Sequence, residues 1–308
     1  MTAPAAEDIP PPTTPPIAAS PMPAGRAVAL GILLMVVSVG FFAAMNMFVK
    51  LIGTEYHALE AAFFRNVVAA ALVIPFVLAT GGVRTLKTRQ PLGHALRAIF
   101  GLGSNVLCFY AYQRIPLSSG MAITMSVPIF AALFAIPLLG EKVGWHRWSA
   151  IAIGFIGVII ALDPRGTVEE GSFYALAGTL CWAMVVILVK RLSATESPYT
   201  IVFYYMATGA LIATCFLPWV WVTPTPRVWA LYLATGVVGA IGQITMTFAM
   251  KLAPASVASP FEYTQIVWAV LFDMALWGVA PSTATLTGAA IVIATGLYIL
   301  QREARKRR

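Results

Sequence analysis

Two stretches of this chain repeat one another. Ala111–Leu139 reads AYQRIPLSSGMAITMSVPIFAALFAIPLL, and Ala249–Trp277 reads AMKLAPASVASPFEYTQIVWAVLFDMALW. Laid side by side without a gap, at an offset of 138, Pro116 meets Pro254, Ser118 meets Ser256, Leu133–Phe134 meets Leu271–Phe272 and Gly140 meets Gly278. A fainter echo runs at an offset of 140, where Phe42–Ala43 and Lys50 match Trp182–Ala183 and Lys190. The fold must therefore accommodate two copies of one unit, each burying its apolar surface partly against the other.

Composition says which solvent those copies face. The chain is 59% hydrophobic and 10% charged, whereas a soluble domain carries about 25% charged residues. Too little polar surface exists to cover a water-soluble protein, so lipid must surround most of it. The net charge of +8 does not indicate nucleic acid, because the basic residues sit in short loops and at the C-terminus with no basic-aromatic stripe. Cys108, Cys181 and Cys215 are scattered through apolar runs and form neither a disulfide framework nor a metal cluster. Residues 1–25, rich in Pro, Ala and Thr, read as a disordered cytoplasmic tail without the basic start and apolar core of a signal peptide.

A membrane-spanning helix needs about 20 apolar residues. Such runs occur at 27–49, 58–79, 92–113, 117–139, 148–162, 172–189, 199–221, 228–250, 255–277 and 281–301, the fifth and sixth being short. The expected fold is an all-α integral membrane protein of ten transmembrane helices. With the N-terminus in the cytoplasm, 14 Lys and Arg fall on cytoplasmic ends and loops, and 4 (Lys50, Arg114, Arg165, Arg227) fall outside. That excess follows the positive-inside rule. Five spans per copy is odd, so the second copy must be upside down. The expected organisation is a first five-helix repeat over 26–163, a second inverted five-helix repeat over 171–301, and a basic cytoplasmic tail over 302–308.

The segment Leu138–Leu162, LLGEKVGWHRWSAIAIGFIGVIIAL, resembles the drug/metabolite transporter superfamily in its EamA branch. Gly140–Glu141, the basic residue after it and the Gly-rich fifth span (Gly154, Gly157) carry the likeness, which extends from Val28 to about Gln301. The second copy departs from it, with Val279 where Glu141 stands in the first. The resemblance implies a carrier of small organic solutes in the bacterial inner membrane, without an enzymatic cofactor. SPFEYT (Ser259–Thr264) is similar to segments of family members proposed to carry riboflavin or S-adenosylmethionine.

Charged and polar side chains inside spans are the best markers of a site, since one charge at a helix centre costs about 2.5–3.5 kcal/mol. Glu262 lies about two turns inside the ninth span beside Pro260, Tyr263 and Gln265; its counterpart is Thr124, beside Ser126 and Pro128. Glu262 reads either as a solute or proton site, or as a carboxylate paired to a basic neighbour for folding. Arg65 and Asn66 lie on the second span, Arg97 on the third. Either arginine is suited to hold an anionic group, because guanidinium grips carboxylate or phosphate bidentately. The alternatives are a pair between Arg65 and Glu60 or Glu262, and snorkelling of Arg97 to the interface. Asn46 and Lys50 share a face of the first span, with Lys50 expected at the outer interface. Gln243 follows Gly236, Gly239 and Gly242, a spacing that serves close helix packing or sets Gln243 in a cavity. Asp273 is expected at the interface. Trp145, Trp148, Trp219, Trp221 and Trp229 near span ends read as an aromatic belt, and Trp182, Tyr204, Tyr205, Tyr263 and Trp268 as core or as walls of a pocket.

No Walker loop, metal-ligand spacing or nucleophile motif occurs, so the chain is not read as an enzyme and no cofactor is expected. The expected function is a secondary carrier of an amino-acid-, nucleoside- or vitamin-like metabolite. It would work by alternating access through a cavity lined by the first, third, fourth, sixth, eighth and ninth spans, with polar contributions from the second. Expected partners are the metabolite, the lipid bilayer and, as a candidate co-substrate, protons. A monomer suffices, and a homodimer is compatible. The competing readings are a non-transporting membrane sensor or assembly factor, and a membrane-embedded lipid-modifying enzyme.

Overall fold

The computed structural model describes residues 24–81, 87–88, 90–139, 145–161, 169–192, 195–196, 198–253 and 258–306. Among these the chain is helical, with no strand. The helices are α1 (Ala24–Ile52), α2 (Ala58–Gly81), α3 (Pro91–Tyr112), α4 (Leu117–Thr124), α5 (Val127–Leu139), α6 (Trp145–Ala161), α7 (Glu170–Leu192), α8 (Pro198–Phe216), α9 (Pro226–Leu252), α10 (Gln265–Phe272) and α11 (Thr283–Lys306). A 3₁₀ segment, Ser259–Thr264, precedes α10 and a π-helical segment, Asp273–Trp277, follows it. Among the described residues six helices, counting α4–α5 as one, are long and apolar enough to cross a membrane, and α6 and α11 hold shorter apolar stretches. The element boundaries track the apolar runs to within a few residues. The sixth run is longer than its sequence suggested, because α7 continues to Lys190–Arg191, whose basic side chains suit a helix C-terminus. The last helix also runs on into the basic tail as far as Lys306. The first 23 residues and Glu141 lie outside the described residues.

Two spans expected to be continuous are broken. Between α4 and α5 the helix is interrupted at Met125–Ser126, and the matching place in the second copy is the 3₁₀ segment ending at Thr264. In lipid a freed carbonyl finds no water, and the sequence supplies a hydroxyl at each break. Ser126 Oγ donates to the Ile123 carbonyl (2.6 Å), and Thr264 Oγ1 donates to the Phe261 carbonyl (2.6 Å). Both partners are related by the 138-residue offset, so the break itself is a repeated feature.

Helix packing exchanges partners between the copies. α1 packs along α9, and α7, the counterpart of α1, packs along α3, the counterpart of α9. The seams are closed alike. Ser38 Oγ on α1 donates to the Gly242 carbonyl on α9 (2.8 Å), and Ser104 Oγ on α3 donates to the Gly178 carbonyl on α7 (2.8 Å). Gly178 stands at the position of Ser38, and Ser104 at that of Gly242, so the two bonds are images of one another with donor and acceptor helices swapped. α2 packs on α8 and α6 on α11, each against its own counterpart.

The molecule is apolar outside. Ile153, Ile156 and Ile159 on α6, Leu211 on α8 and Leu233 on α9 are exposed, whereas Glu60, Asn66, Arg65, Arg97 and Asp273 are buried. Lipid contact explains the first set. Trp145, Trp148, Trp219, Trp221 and Trp229 are exposed at or near element ends, as an interfacial belt requires. Glycines set the closest helix approach. A Cβ on Gly288 of α11 would lie 2.5 Å from the Ala161 amide nitrogen and 2.6 Å from the Gly157 carbonyl oxygen of α6. Backbone atoms cannot step aside, so Gly288→Val is expected to destabilise the bundle by about 1–3 kcal/mol. A lowered melting temperature in detergent checks it; an unchanged one contradicts this packing.

Candidate functional site

Two buried arginines of the bundle converge on Tyr205. Arg65, about two turns into α2, donates from Nη1 to the Tyr205 hydroxyl (2.9 Å) and to Asn66 Oδ1 (3.2 Å). Arg97, about two turns into α3, lies with its guanidinium carbon 4.1 Å from the centre of the Tyr205 ring and 5.7 Å from that of Trp182 on α7. Asn105 Nδ2 on α3 donates a short hydrogen bond to the same hydroxyl. Tyr205 thus ties α2 to α3 from α8. Arg65 and Arg97 are 6% and 7% exposed, and among the described residues neither forms an ion pair. Arg65 Nε and Arg97 Nε and Nη1 are buried without a hydrogen-bond partner. Cation–π contact with Tyr205 recovers about 2 kcal/mol when desolvated, less than the cost of burying two like charges.

Two glycines admit this cluster. A Cβ on Gly101 would lie 2.6 Å from the Tyr205 ring and 2.7 Å from Arg97 Nη1. A Cβ on Gly239 of α9 would lie 2.8 Å from the Met45 sulfur and 3.7 Å from Arg65 Nε. Gly101 and Gly239 are counterparts at the 138 offset, and Arg65 and Tyr205 are counterparts at 140. The cluster therefore sits where the two copies meet on equivalent residues.

The other sequence candidates fall around this centre unevenly. Asn66 belongs to it, its amide nitrogen 2.9 Å from where a Gly209 Cβ would be. Trp182 joins through Arg97. Asn46 is buried on α1 beside Met45, and Gln243 is half-buried on α9. Thr124 closes its own helix, donating to the Met121 carbonyl (3.0 Å) at the α4 break. Tyr263 packs in an apolar cluster with Met125, Ile129 and Val292, its hydroxyl against Gly296. Glu262 is half-buried in the 3₁₀ segment, which packs against α1. The pair Arg65–Glu262 does not form, and neither does Arg65–Glu60. Glu60 instead accepts the Val222 amide (3.0 Å) and the Tyr232 hydroxyl (3.1 Å), latching the start of α2 to α9. Arg97 does not snorkel. The seventh span, absent from the expected cavity lining, supplies Tyr205 through α8.

A second polar knot lies at the end of the bundle that carries Lys50. Asp273, expected at an interface, is fully buried. Its Oδ2 accepts the Ser118 amide (2.8 Å) and hydroxyl (2.7 Å), and its Oδ1 accepts the Leu117 amide (3.1 Å) and Lys50 Nζ (3.2 Å). The free amides at the start of α4 suit a carboxylate. Lys50 also donates to the Ile115 carbonyl (3.1 Å) and lies over the Trp277 ring. Three helical segments, α1, α4 and Asp273–Trp277, are thereby joined. The counterpart of Asp273 is Ala135, so the first copy has no equivalent carboxylate.

A helical bundle with an apolar exterior and charged side chains buried inside suits a membrane transporter. The chain belongs to the EamA-like transporter family, whose sequence profile matches it twice, over residues 29–162 and 170–301. It is 28% identical over 255 residues to an S-adenosylmethionine uptake transporter of Rickettsia conorii, covering 82% of this chain and 86% of that one. It is 31% identical over 255 residues to a riboflavin transporter of Vibrio cholerae (80% and 84% covered), and 28% identical over 270 residues to the pseudopaline exporter CntI of Pseudomonas aeruginosa (85% and 93%). A solved crystal structure, 20% identical, shares the fold with a TM-score of 0.61 over 92% of this chain and 99% of that one.

The Asp273 knot makes a direct prediction. Asp273→Ala strips Lys50 and the α4 amides of their acceptor. Removing one partner of a buried ion pair costs about 3–5 kcal/mol, so a marked drop in melting temperature is expected. An unchanged melt contradicts the tie.

Proposed function

We propose that this protein is a secondary carrier of a small organic metabolite in the bacterial inner membrane. It works by alternating access between two inverted five-helix halves, with both chain ends in the cytoplasm. The observation that carries this reading is the Arg65–Tyr205 pair, in which equivalent residues of the two copies meet inside the bundle. Carriers built from repeats hold their solute at the repeat interface near the midplane, and the exchanged Ser–Gly bridges support such an axis here. The relatives' solutes, S-adenosylmethionine, riboflavin and pseudopaline, are small organic metabolites.

Access is set by which end is tied. With the N-terminus inside, the Lys50–Asp273 knot closes the outer end, and Ala135 at the counterpart of Asp273 makes the two ends unlike. Helix breaks at Met125–Ser126 and before α10 give the two gating segments their hinges. Glu262, half-buried beside one hinge, is the candidate for binding solute or a proton as that segment moves. A monomer contains both halves and is sufficient.

Purified protein in liposomes tests the reading. Uptake of a member of a metabolite panel that includes S-adenosylmethionine and riboflavin is expected, with at least a tenfold loss in Glu262→Gln while that variant remains folded. No movement of any solute in the panel contradicts a carrier, and full activity of the variant takes Glu262 out of the mechanism.

A further inference from the structure

The two copies differ in charge at the place where they meet. The counterpart of Arg65 is Tyr205, and the counterpart of Arg97 at the 138 offset is Thr235. Thr235 is fully buried and donates to the Leu231 carbonyl of its own helix (2.7 Å). One copy therefore packs these positions with neutral side chains. Helix packing alone does not call for guanidinium at either position, yet the first copy places two there. No carboxylate among the described residues neutralises them, and three of their N–H-bearing nitrogens are buried and idle.

We infer that Arg65 and Arg97 together form the recognition site for an oxyanion, a carboxylate or phosphate, carried on the transported solute. This rests on the carrier reading and adds the charge of the cargo. Each guanidinium presents its donors in a planar fork that fits two oxygens of such a group. Arg65 Nε, Arg97 Nε and Arg97 Nη1 are the open donors. Among the described residues Tyr205 offers the one acceptor that Arg65 reaches outside α2, its hydroxyl, and Asn105 shares it. Gly101 lets the Tyr205 ring and the Arg97 fork lie against the α3 backbone, since any side chain there would collide with them. Trp182, 5.7 Å from Arg97 across its ring, gives an apolar wall for the remainder of the solute. Binding an oxyanion supplies the countercharge that the fold withholds. A cationic solute without an acid group finds only repulsion at this point.

Thermal melts of the full chain in detergent, with matched probes, test the inference. The pairs are riboflavin 5′-phosphate against riboflavin, and N-acetylmethionine against N-acetylmethioninamide. The acid of at least one pair is expected to raise the Tm of the wild type, and its uncharged match is not. A response to the phosphate probe alone, or to the carboxylate probe alone, supports the inference and assigns the oxyanion. Arg65→Gln and Arg97→Gln are each expected to weaken the response at least tenfold. Where a glutamine variant fails to fold, Arg97→Lys, which keeps the charge and loses the fork, is expected to retain a weakened response. Equal stabilisation by both members of each pair, an unchanged response in Arg65→Gln and Arg97→Gln, or no response to any acid overturns the inference. Liposome transport separates this from the carrier reading. If wild type and both glutamine variants move the same neutral or cationic metabolite at equal rates, the carrier stands and the oxyanion site falls.

Discussion

The crossed packing of α1 on α9 and of α7 on α3 is the constraint from which the rest follows. Neither copy can close its own interior, because the helix that would cover it belongs to the other copy. Ser38 to Gly242 and Ser104 to Gly178 bond those seams at equal length, and glycine at each acceptor lets the backbones come near enough for a hydroxyl to bridge them. In lipid, where apolar side chains gain little by leaving one apolar surface for another, such close contacts and interhelical hydrogen bonds hold helices together.

From that arrangement the centre of the bundle inherits a meeting of equivalent residues. α2 faces α8, so Arg65 faces Tyr205. The packing of α2 on α8 sets the encounter and says nothing about its chemistry, which is where the copies have diverged. The same divergence appears at the Lys50 end, where Asp273 ties three segments and its counterpart Ala135 carries no carboxylate. A duplicated scaffold supplies the frame, and in the carrier proposed above the single residues that break its symmetry would supply direction and selectivity.

Much of the frame was legible in the sequence. Apolar runs of about 20 residues gave the helices, because lipid demands length and apolarity together. The breaks at Met125–Ser126 and before α10 were not read, although Ser126 with Pro128, and Pro260 within Ser259–Thr264, mark both places. Arg65, Asn66 and Arg97 stood out as intramembrane polar groups. Tyr205 was legible only as core or as a pocket wall, because a tyrosine in an apolar helix usually packs as core. The signal was present: the 140 offset that links Lys50 to Lys190 also sends Arg65 to Tyr205. Asp273 misled for a different reason. Three residues on other elements, Lys50, Leu117 and Ser118, satisfy it, and nothing in its local sequence points to them.

The inversion of the copies is the claim that joins packing, axis and access. Reporter tags at the N- and C-termini of the full chain, assayed for accessibility from each side of the membrane, measure it most directly. Both tags on the cytoplasmic side is the predicted result. Tags on opposite sides contradict it, because a chain of two five-span halves cannot then return to the face it left.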